Sequence, residues 1–400
     1  MMAAIRASSF GQDVTLLEGK ASLGNKLLLS GKGRCNLTNT EDLEYFLKRF
    51  SNGGEFLRDA FKKFFHPELI SFFEERGLKL KVERQLRVFP QTDRSSSVLN
   101  ILIKELEKNK VKVIYKSKVT NLLAANDKVR GVRLENNQDI EGDRVIMACG
   151  GASYSFTGSD ASGIDIAKKF GHKIVPLSPG LVALDVKQNY PERLEGLTLR
   201  NISLKFSDGE AEIVSDVGEL VFTSTGISGP LLITLSGRVI DMYQPGKRIF
   251  VSIDLKPGLT IEQLDGRLLR EFKINSQKSI KNVFKELLPL NLIKVFIDTA
   301  AINPLKKCSQ ITQEERKKMI LLFKGFKMEV SGPRPIEEAM VTRGGVRLKE
   351  INPRTMESRL IKGLYFCGEM IDLDADTGGF NLQAAFSTGY LAGESAALSE

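Results

Sequence analysis

The chain has 400 residues, enough for two or three domains with sizeable cores, and its 42% hydrophobic and 27% charged content is that of an ordinary globular protein. No apolar run reaches the ~18 residues a membrane span needs, and the start lacks a signal-peptide layout, so a cytoplasmic protein is the expectation. Four dispersed cysteines and two histidines exclude a disulfide framework, a Cys-x-x-Cys pair and a histidine-built metal site, while the net charge of +9 suits anionic partners.

Residues 2–11 read as an amphipathic helix stopped by Gly11. Val14 to Leu17 is a short strand ending at Glu18. A strand that ends in a carboxylate after a helix is the second half of a dinucleotide-binding βαβ unit, where the acid accepts hydrogen bonds from ribose hydroxyls. That acid sits ~20 residues after the glycine turn. Counting back puts the turn just before Met1, so the expectation is an N-terminally truncated chain lacking the first strand and its turn.

Ser30-Gly31-Lys32-Gly33-Arg34 offers sterically open backbone N–H groups and two cations, suited to wrapping a pyrophosphate or approaching a flavin ring. Residues 41–50 and 55–76 have helical periodicity with a phenylalanine stripe that reads as core, broken at His66-Pro67. Leu86 to Pro90 is a strand, and a helix follows from Asp93–Ser97 to 108. Residues 111–149 alternate as four strands of a meander. The last of them, Val145 to Ala148, is apolar on both faces like a central parallel strand. It runs into Cys149-Gly150-Gly151, where Gly150 lets the backbone pass close to a dinucleotide. The backbone of Val119 is a candidate partner for an adenine edge.

Near Pro176–Pro179 the pattern changes. Strands are expected at Leu181–Val186, Ile202–Phe206, Ala211–Val214, Glu219–Phe222, Leu231–Leu235 and Ile249–Leu255. Helices are expected at 260–273, 279–287, 290–299 and 312–324. The expectation is a small β-barrel or sandwich, the barrel preferred, with helices, inserted at 180–340 between 1–179 and 341–400, both parts of one α/β, Rossmann-like domain.

Leu364 to Cys367 is a last buried strand, and Gly368-Glu369 follows it; Glu369 can accept a hydrogen bond from a ribityl hydroxyl. Asp372, Asp374 and Asp376 read as a polar turn, not a metal site. Gly378-Gly379 presents backbone N–H groups at the start of a helix from about Asn381. That helix end would stabilise the charge that develops at N1 and the C2 oxygen of a reduced flavin. Ala385, Gly389 and Gly393 form a stripe of small residues expected to pack against the sheet.

The blocks LLLSGKGRCNLTN at 27–39, GGASYSFTGSDASG at 150–163, GELVFTSTGISGP at 218–230 and the segment 363–393 together resemble the HI0933-like (YhiN-like) family of flavoproteins, which includes NAD(P)/FAD-dependent bile-acid reductases of the BaiN type. The resemblance covers nearly the whole chain. It implies FAD contacts at Glu18, Gly31, Lys32, Gly33, Arg34, Gly150, Gly368, Glu369, Gly378, Gly379, Asn381, Leu382 and Gln383. Lys32 stands where the family more usually carries glycine.

The resulting expectation is an FAD-dependent oxidoreductase that takes a hydride from NAD(P)H and reduces a carbonyl-conjugated double bond of a small molecule. No second G-x-G-x-x-G is present, so NAD(P)H would dock only transiently. No residue stands out as catalytic acid or base. Neither a membrane nor a nucleic acid is an expected partner, and the oligomeric state is left open. The rivals are a flavin-dependent RNA modifier, which a basic face on the insert would favour, and a cofactor-free product of truncation.

Overall fold

The computed structural model describes residues 1–243 and 246–399. The chain divides into two units, 1–180 with 335–400, and 181–334.

The first unit is built on short parallel strands. Thr15–Leu17 pairs with Lys112–Ile114, and Val145–Met147 pairs with Leu364–Phe366, each in parallel register. The strand expected at the start of the meander therefore belongs to the first parallel pair. The meander itself is Val119–Ala125, Lys128–Leu134 and Asp139–Glu141. The loop 150–161 links the carboxyl ends of the two pairs: a Cβ on Gly158 would lie 3.9 Å from Glu18 Oε1, and Ser153 Oγ donates to Glu369 Oε1 at 3.0 Å. Leu364, Tyr365 and Phe366 are fully buried, as two-sided coverage of a parallel strand requires.

The phenylalanine stripe is core. Phe46 meets Phe61, Phe65 and Phe380 edge-on, with ring centroids 5.3, 4.9 and 4.7 Å away. The expected helix over 55–76 is three pieces, Gly54–Leu57, Arg58–Lys63 and His66–Glu74, with Pro67 tolerated in the first turn of the last. Ile174–Gly180, around the prolines where the sequence pattern changes, is a strand. It pairs antiparallel with Val341–Val346, and its register shifts between Val175 and Ser178, which accommodates Pro176.

Of the small residues on the last helix, Phe380–Leu398, Gly389 and Gly393 face the helix Met2–Ser8, while Ala385 lies 3.9 Å from where a Cβ on Gly368 would stand, at the end of the strand Leu364–Phe366. A Cβ on Gly393 would be driven into the Ala3 carbonyl, and one on Gly389 would touch the Ala3 nitrogen at 3.6 Å.

The second unit is a closed antiparallel barrel. Its six strands run Thr198–Ser207, Gly218–Phe222, Gly226–Ser228, Leu184–Val186, Phe326–Pro333 and Ile249–Asp254, and the last pairs back with the first. Glu212–Val214 extends one hairpin. The strand Phe326–Pro333 was not among the expected strands; Gly325 alone separates it from the helix Gln313–Lys324. Leu231–Leu235, expected as a strand, lies in the helix Pro230–Asp241. Its apolar run fits either structure, and the deciding features sit upstream. Gly229, at φ +100°, makes a turn in which a Cβ would lie 2.9 Å from the Val221 nitrogen, and Pro230 then starts the helix. Helices Ile261–Ile274, Leu290–Ala300 and Gln313–Lys324 complete the unit.

Two glycines separate close approach from mere helix propensity. Gly393→Ala is expected to destabilise by about 1–3 kcal/mol through overpacking. Gly266→Ala, inside a helix with only the Arg270 side chain near at 3.9 Å, is expected to stabilise by about 0.5–1 kcal/mol. Thermal melts of the two variants should shift in opposite directions. A second expectation concerns His172, which is buried between the Ala167 carbonyl at 3.2 Å and the Ser358 hydroxyl at 2.8 Å. Burial pushes its pKa below the usual imidazole range. The unfolded state then binds more protons, so this contribution is complete above the unfolded imidazole pKa and is lost as pH falls through it. The melting temperature should drop between about pH 8 and about pH 5.5, and less steeply in His172→Gln.

Candidate functional site

The site is assembled at the carboxyl ends of the parallel strands, where open α/β sheets bind ligands. At one end lies Glu18, half-buried, with its backbone N–H bonded to the Ile114 carbonyl and Oε1 accepting from the Lys20 N–H at 2.8 Å. The loop 151–161 folds over this end and is closed by the Ala161 N–H donating to the Gly151 carbonyl at 2.9 Å. A Cβ on Gly158 would lie 3.3 Å from the Lys20 side chain and 3.9 Å from Glu18 Oε1. Gly150, at φ +81°, sits under Ser159, and a Cβ there would stand 2.7 Å from the Ser159 hydroxyl. That hydroxyl is buried and has no hydrogen-bond partner among the described residues. Val119 adjoins Lys118, whose Cα lies 3.8 Å from the position of a Cβ on Gly19; Lys118 itself pairs with Asp160 at 2.8 Å.

The glycine loop follows the helix Asn25–Leu29. Gly31, Lys32, Gly33 and Cys35 all have positive φ, and a Cβ on Gly31 would stand 2.7 Å from the Asn36 nitrogen. Lys32 is exposed. Arg34 is turned into a cluster of its own: Nε donates to Asp93 at 2.8 Å, Nη2 meets Glu83, and the guanidinium lies 4.2 Å from the centre of the Phe89 ring. Cys35 is fully buried and its thiol is pushed up to about 12 by burial, which makes it an inert packed thiol.

The residues after this loop strap the late glycine pair. The Asn36 side-chain amide accepts from the Gly379 N–H at 3.0 Å and donates to the Thr38 carbonyl at 3.2 Å. Asn39 Nδ2 donates to the Gly378 carbonyl at 3.1 Å. Thr38 Oγ1 donates to Gln383 Oε1 at 2.6 Å, and Gln383 Nε2 donates to Ser387 Oγ at 3.0 Å; all three side chains are fully buried. Asn381 staples the preceding turn, accepting from the Ala375 N–H at 2.9 Å and donating to the Ala375 carbonyl at 2.8 Å. Leu382 packs against the core cluster around Phe64 and Phe386. Gln383 and Asn381 thus order the turn through their side chains, and the Gly379 N–H already has a partner in Asn36.

Glu369 is the polar hub. Oε1 accepts from the Thr342 N–H at 2.7 Å and the Ser153 hydroxyl at 3.0 Å, while Oε2 is ion-paired with Lys26. Lys26 Nζ also reaches Ser153 Oγ at 2.7 Å. Thr342 Oγ1 accepts from the N–H groups of Ala152 and Ser153 at 2.8 and 3.0 Å. Gly368, at φ +69°, donates its N–H to Thr388 Oγ1 at 3.0 Å. Four separate stretches of chain therefore meet on one carboxylate. The acidic turn is engaged as well: Asp374 accepts from Ser51 at 2.5 Å, Asp376 from Arg49 at 3.3 Å, and Asp372 lies 3.5 Å from Asn52 Nδ2. Burial and the neighbouring Asp374 hold the Asp372 carboxyl above its usual range.

Sequence reading missed Lys26, Asn36, Thr38, Ser153, Ser159 and Thr342 as site residues. Asn36, Thr38, Ser153 and Ser159 stood inside the recognised blocks at 27–39 and 150–163 with no site role read for them. Lys26 and Thr342 carry no local pattern, because their partners are far away in the chain.

An orphaned buried hydroxyl over a glycine, a carboxylate at a strand end and positive-φ glycines at the strand termini fit a dinucleotide cofactor. A model of the HI0933-like protein Rossmann domain family matches residues 1–395. The 3-dehydro-bile acid delta(4,6)-reductase of Clostridium scindens is 32% identical over 400 residues, covering 99% of this chain and 96% of that one. The ribosomal RNA dihydrouridine synthase of Haemophilus influenzae is 29% identical over 395 residues, covering 98% of this chain and 94% of its own. Among solved structures, the 3-ketosteroid delta1-dehydrogenase from Sterolibacterium denitrificans superposes with a TM-score of 0.55 at 12% identity, over 100% of this chain and 97% of that one, a likeness of fold alone. The chain belongs to the HI0933-like family, whose Rossmann domain model spans nearly all of it.

Proposed function

We propose that this chain is an FAD-dependent oxidoreductase that reduces a carbon–carbon double bond conjugated to a carbonyl, with NAD(P)H as the source of electrons. The observation that carries the reading is the grouping of Glu18, Gly150 with Ser159, and Glu369 at the carboxyl ends of two parallel strand pairs, with Gly158 beside Glu18 and Ser153 of the same loop bonded to Glu369. Two relatives from different substrate classes support the same chemistry. One is named as a reductase of a bile acid at its 4,6 positions, the other as a maker of dihydrouridine. Dihydrouridine is uridine with its ring double bond, which is conjugated to a carbonyl, saturated.

In this reading Glu18 accepts hydrogen bonds from the adenosine ribose, and the Ser159 hydroxyl donates to the dinucleotide as it passes over Gly150. The loop 30–34 and the turn at 378–379 bring backbone close to the ring end, and the strap from Asn36, Thr38 and Asn39 holds that turn rigid. Glu369 accepts from a ribityl hydroxyl, held in place by Lys26 and the Thr342 N–H. FAD, when bound, supplies the hydride chemistry, and the protein supplies position and charge.

A second reading keeps the chemistry and changes the substrate to a base in RNA. It is favoured by the dihydrouridine synthase relative and by the distribution of positive charge in the second unit, taken up below.

Purified or FAD-reconstituted protein is expected to be yellow, with absorbance near ~450 nm that bleaches anaerobically on adding NADPH or NADH. Protein that stays colourless after reconstitution contradicts the proposal. Gly379→Ala is the sharper probe. Its Cβ would be forced into the Thr38 carbonyl at φ +98°. FAD affinity should fall at least tenfold, about 1.4 kcal/mol, as read by fluorescence titration.

A further inference from the structure

Ion pairing is uneven in the second unit. On the barrel, cations are matched with carboxylates: Lys187 and Arg248 with Glu329, Lys205 with Glu212, Lys247 with Asp208 and Glu210. The Glu329 carboxyl is accordingly pulled down to about 2 by Arg248 and then Lys187. The helical layer differs. Residues 261–324 hold thirteen Lys and Arg against seven Asp and Glu, which is six of the chain's nine net positive charges. Only Lys306, Arg316 and Lys324 of these thirteen have a carboxylate partner among the described residues. Lys273, Lys278, Lys281, Lys285 and Lys294 are exposed and make no ion pair there.

Local structure gathers several of these lysines. An antiparallel bridge joins Ser279 to Lys307, with the Ile280 N–H donating to the Lys306 carbonyl and the Cys308 N–H to the Lys278 carbonyl, both at 3.0 Å. The strap sets Lys278 beside Lys307, whose Nζ donates to Gln277 at 3.0 Å. Ile280–Val283 is helical and a single 3₁₀ turn, Phe284–Glu286, continues it, which puts Lys281 and Lys285 one turn apart on the exposed side while Ile280, Val283 and Phe284 are buried. Gln277 and Asn282 are exposed amides between them, Leu305 is an exposed apolar side chain beside them, and Glu286 is the one carboxylate in 275–286. Keeping like charges together without counter-charges costs free energy in the isolated protein, and a polyanion relieves that cost.

We propose that this strap, with Lys278, Lys281, Lys285 and Lys307 at its centre, is a docking surface for the phosphate backbone of RNA. The proposal rests on the second reading of function and names where its substrate would be held. A polyphosphate suits the surface better than a compact anion, because the exposed cations are spread along two chain segments. With no aromatic side chain exposed in 273–285 or 303–309 to stack on bases, recognition here is of backbone and not of sequence.

The test is fluorescence anisotropy of a labelled ribosomal RNA hairpin on full-length holoprotein across a salt series. Each phosphate contact contributes about 0.7–0.9 to the slope of log affinity against log salt. The combined variant Lys278→Gln, Lys281→Gln, Lys285→Gln is expected to bind at least tenfold more weakly and to lose about two units of that slope. The matching triple change to Arg is expected to keep both, and Lys205→Gln on the barrel is expected to leave affinity within about twofold. Undiminished RNA binding by the Gln variant overturns the proposal. So does absence of RNA binding by the wild type, including the case in which it sediments with phosphatidylglycerol vesicles instead. Flavin absorbance on the same samples separates the two ideas: colourless protein that still binds RNA through these lysines supports the docking surface and sinks the redox reading alone.

Discussion

Thr38 and Gln383 lie 345 residues apart, and a buried hydrogen bond of 2.6 Å joins them. Around it Asn36 and Asn39 hold the backbone of Gly379 and Gly378, and a Cβ on Gly379 would not fit beside Thr38. This contact is where the early glycine loop and the late glycine turn become one structure. Fully buried polar groups cost free energy unless each finds a partner. Thr38, Gln383 and Ser387 satisfy one another and the Phe64 carbonyl, so the arrangement tolerates little displacement. A rigid turn at that point is what a cofactor ring needs on one side.

Glu369 does the corresponding work for the charged part of the site. It ends the last strand, and helix Asn25–Leu29, the loop after Val145–Met147 and strand Val341–Val346 all contribute partners to it. The second unit is inserted between residues that the hub brings together, Ser153 on one side and Thr342 on the other. The insertion can therefore vary without breaking the site, provided its two ends return to the paired strands Ile174–Gly180 and Val341–Val346.

How much of this was legible follows from where the information sits. Glu18 and Glu369 were readable because a carboxylate at the end of a short apolar strand is a local pattern. So were Gly31, Gly150 and Gly378, since positive φ falls to glycine. The cations at the site were not readable in the same way. Arg34 looks like a pyrophosphate ligand in sequence but is bound to Asp93 and Glu83, while Lys26, in no motif, holds Glu369. Ion-pair partners are chosen by tertiary structure, and the same limit hid the lysines at 273–285, which make no ion pair among the described residues, behind a merely scattered positive charge. The barrel was legible as strands, yet the helix at Pro230 was not, because the short apolar run Leu231–Leu235 fits either structure.

The central claim is that the strapped glycine turn and the Glu369 hub hold the cofactor. Hydrogen–deuterium exchange of the protein with and without FAD tests it most directly. The account predicts added protection confined to three stretches: 30–39, 150–163 and 368–383. Binding of FAD that leaves these stretches unchanged and protects others would contradict it.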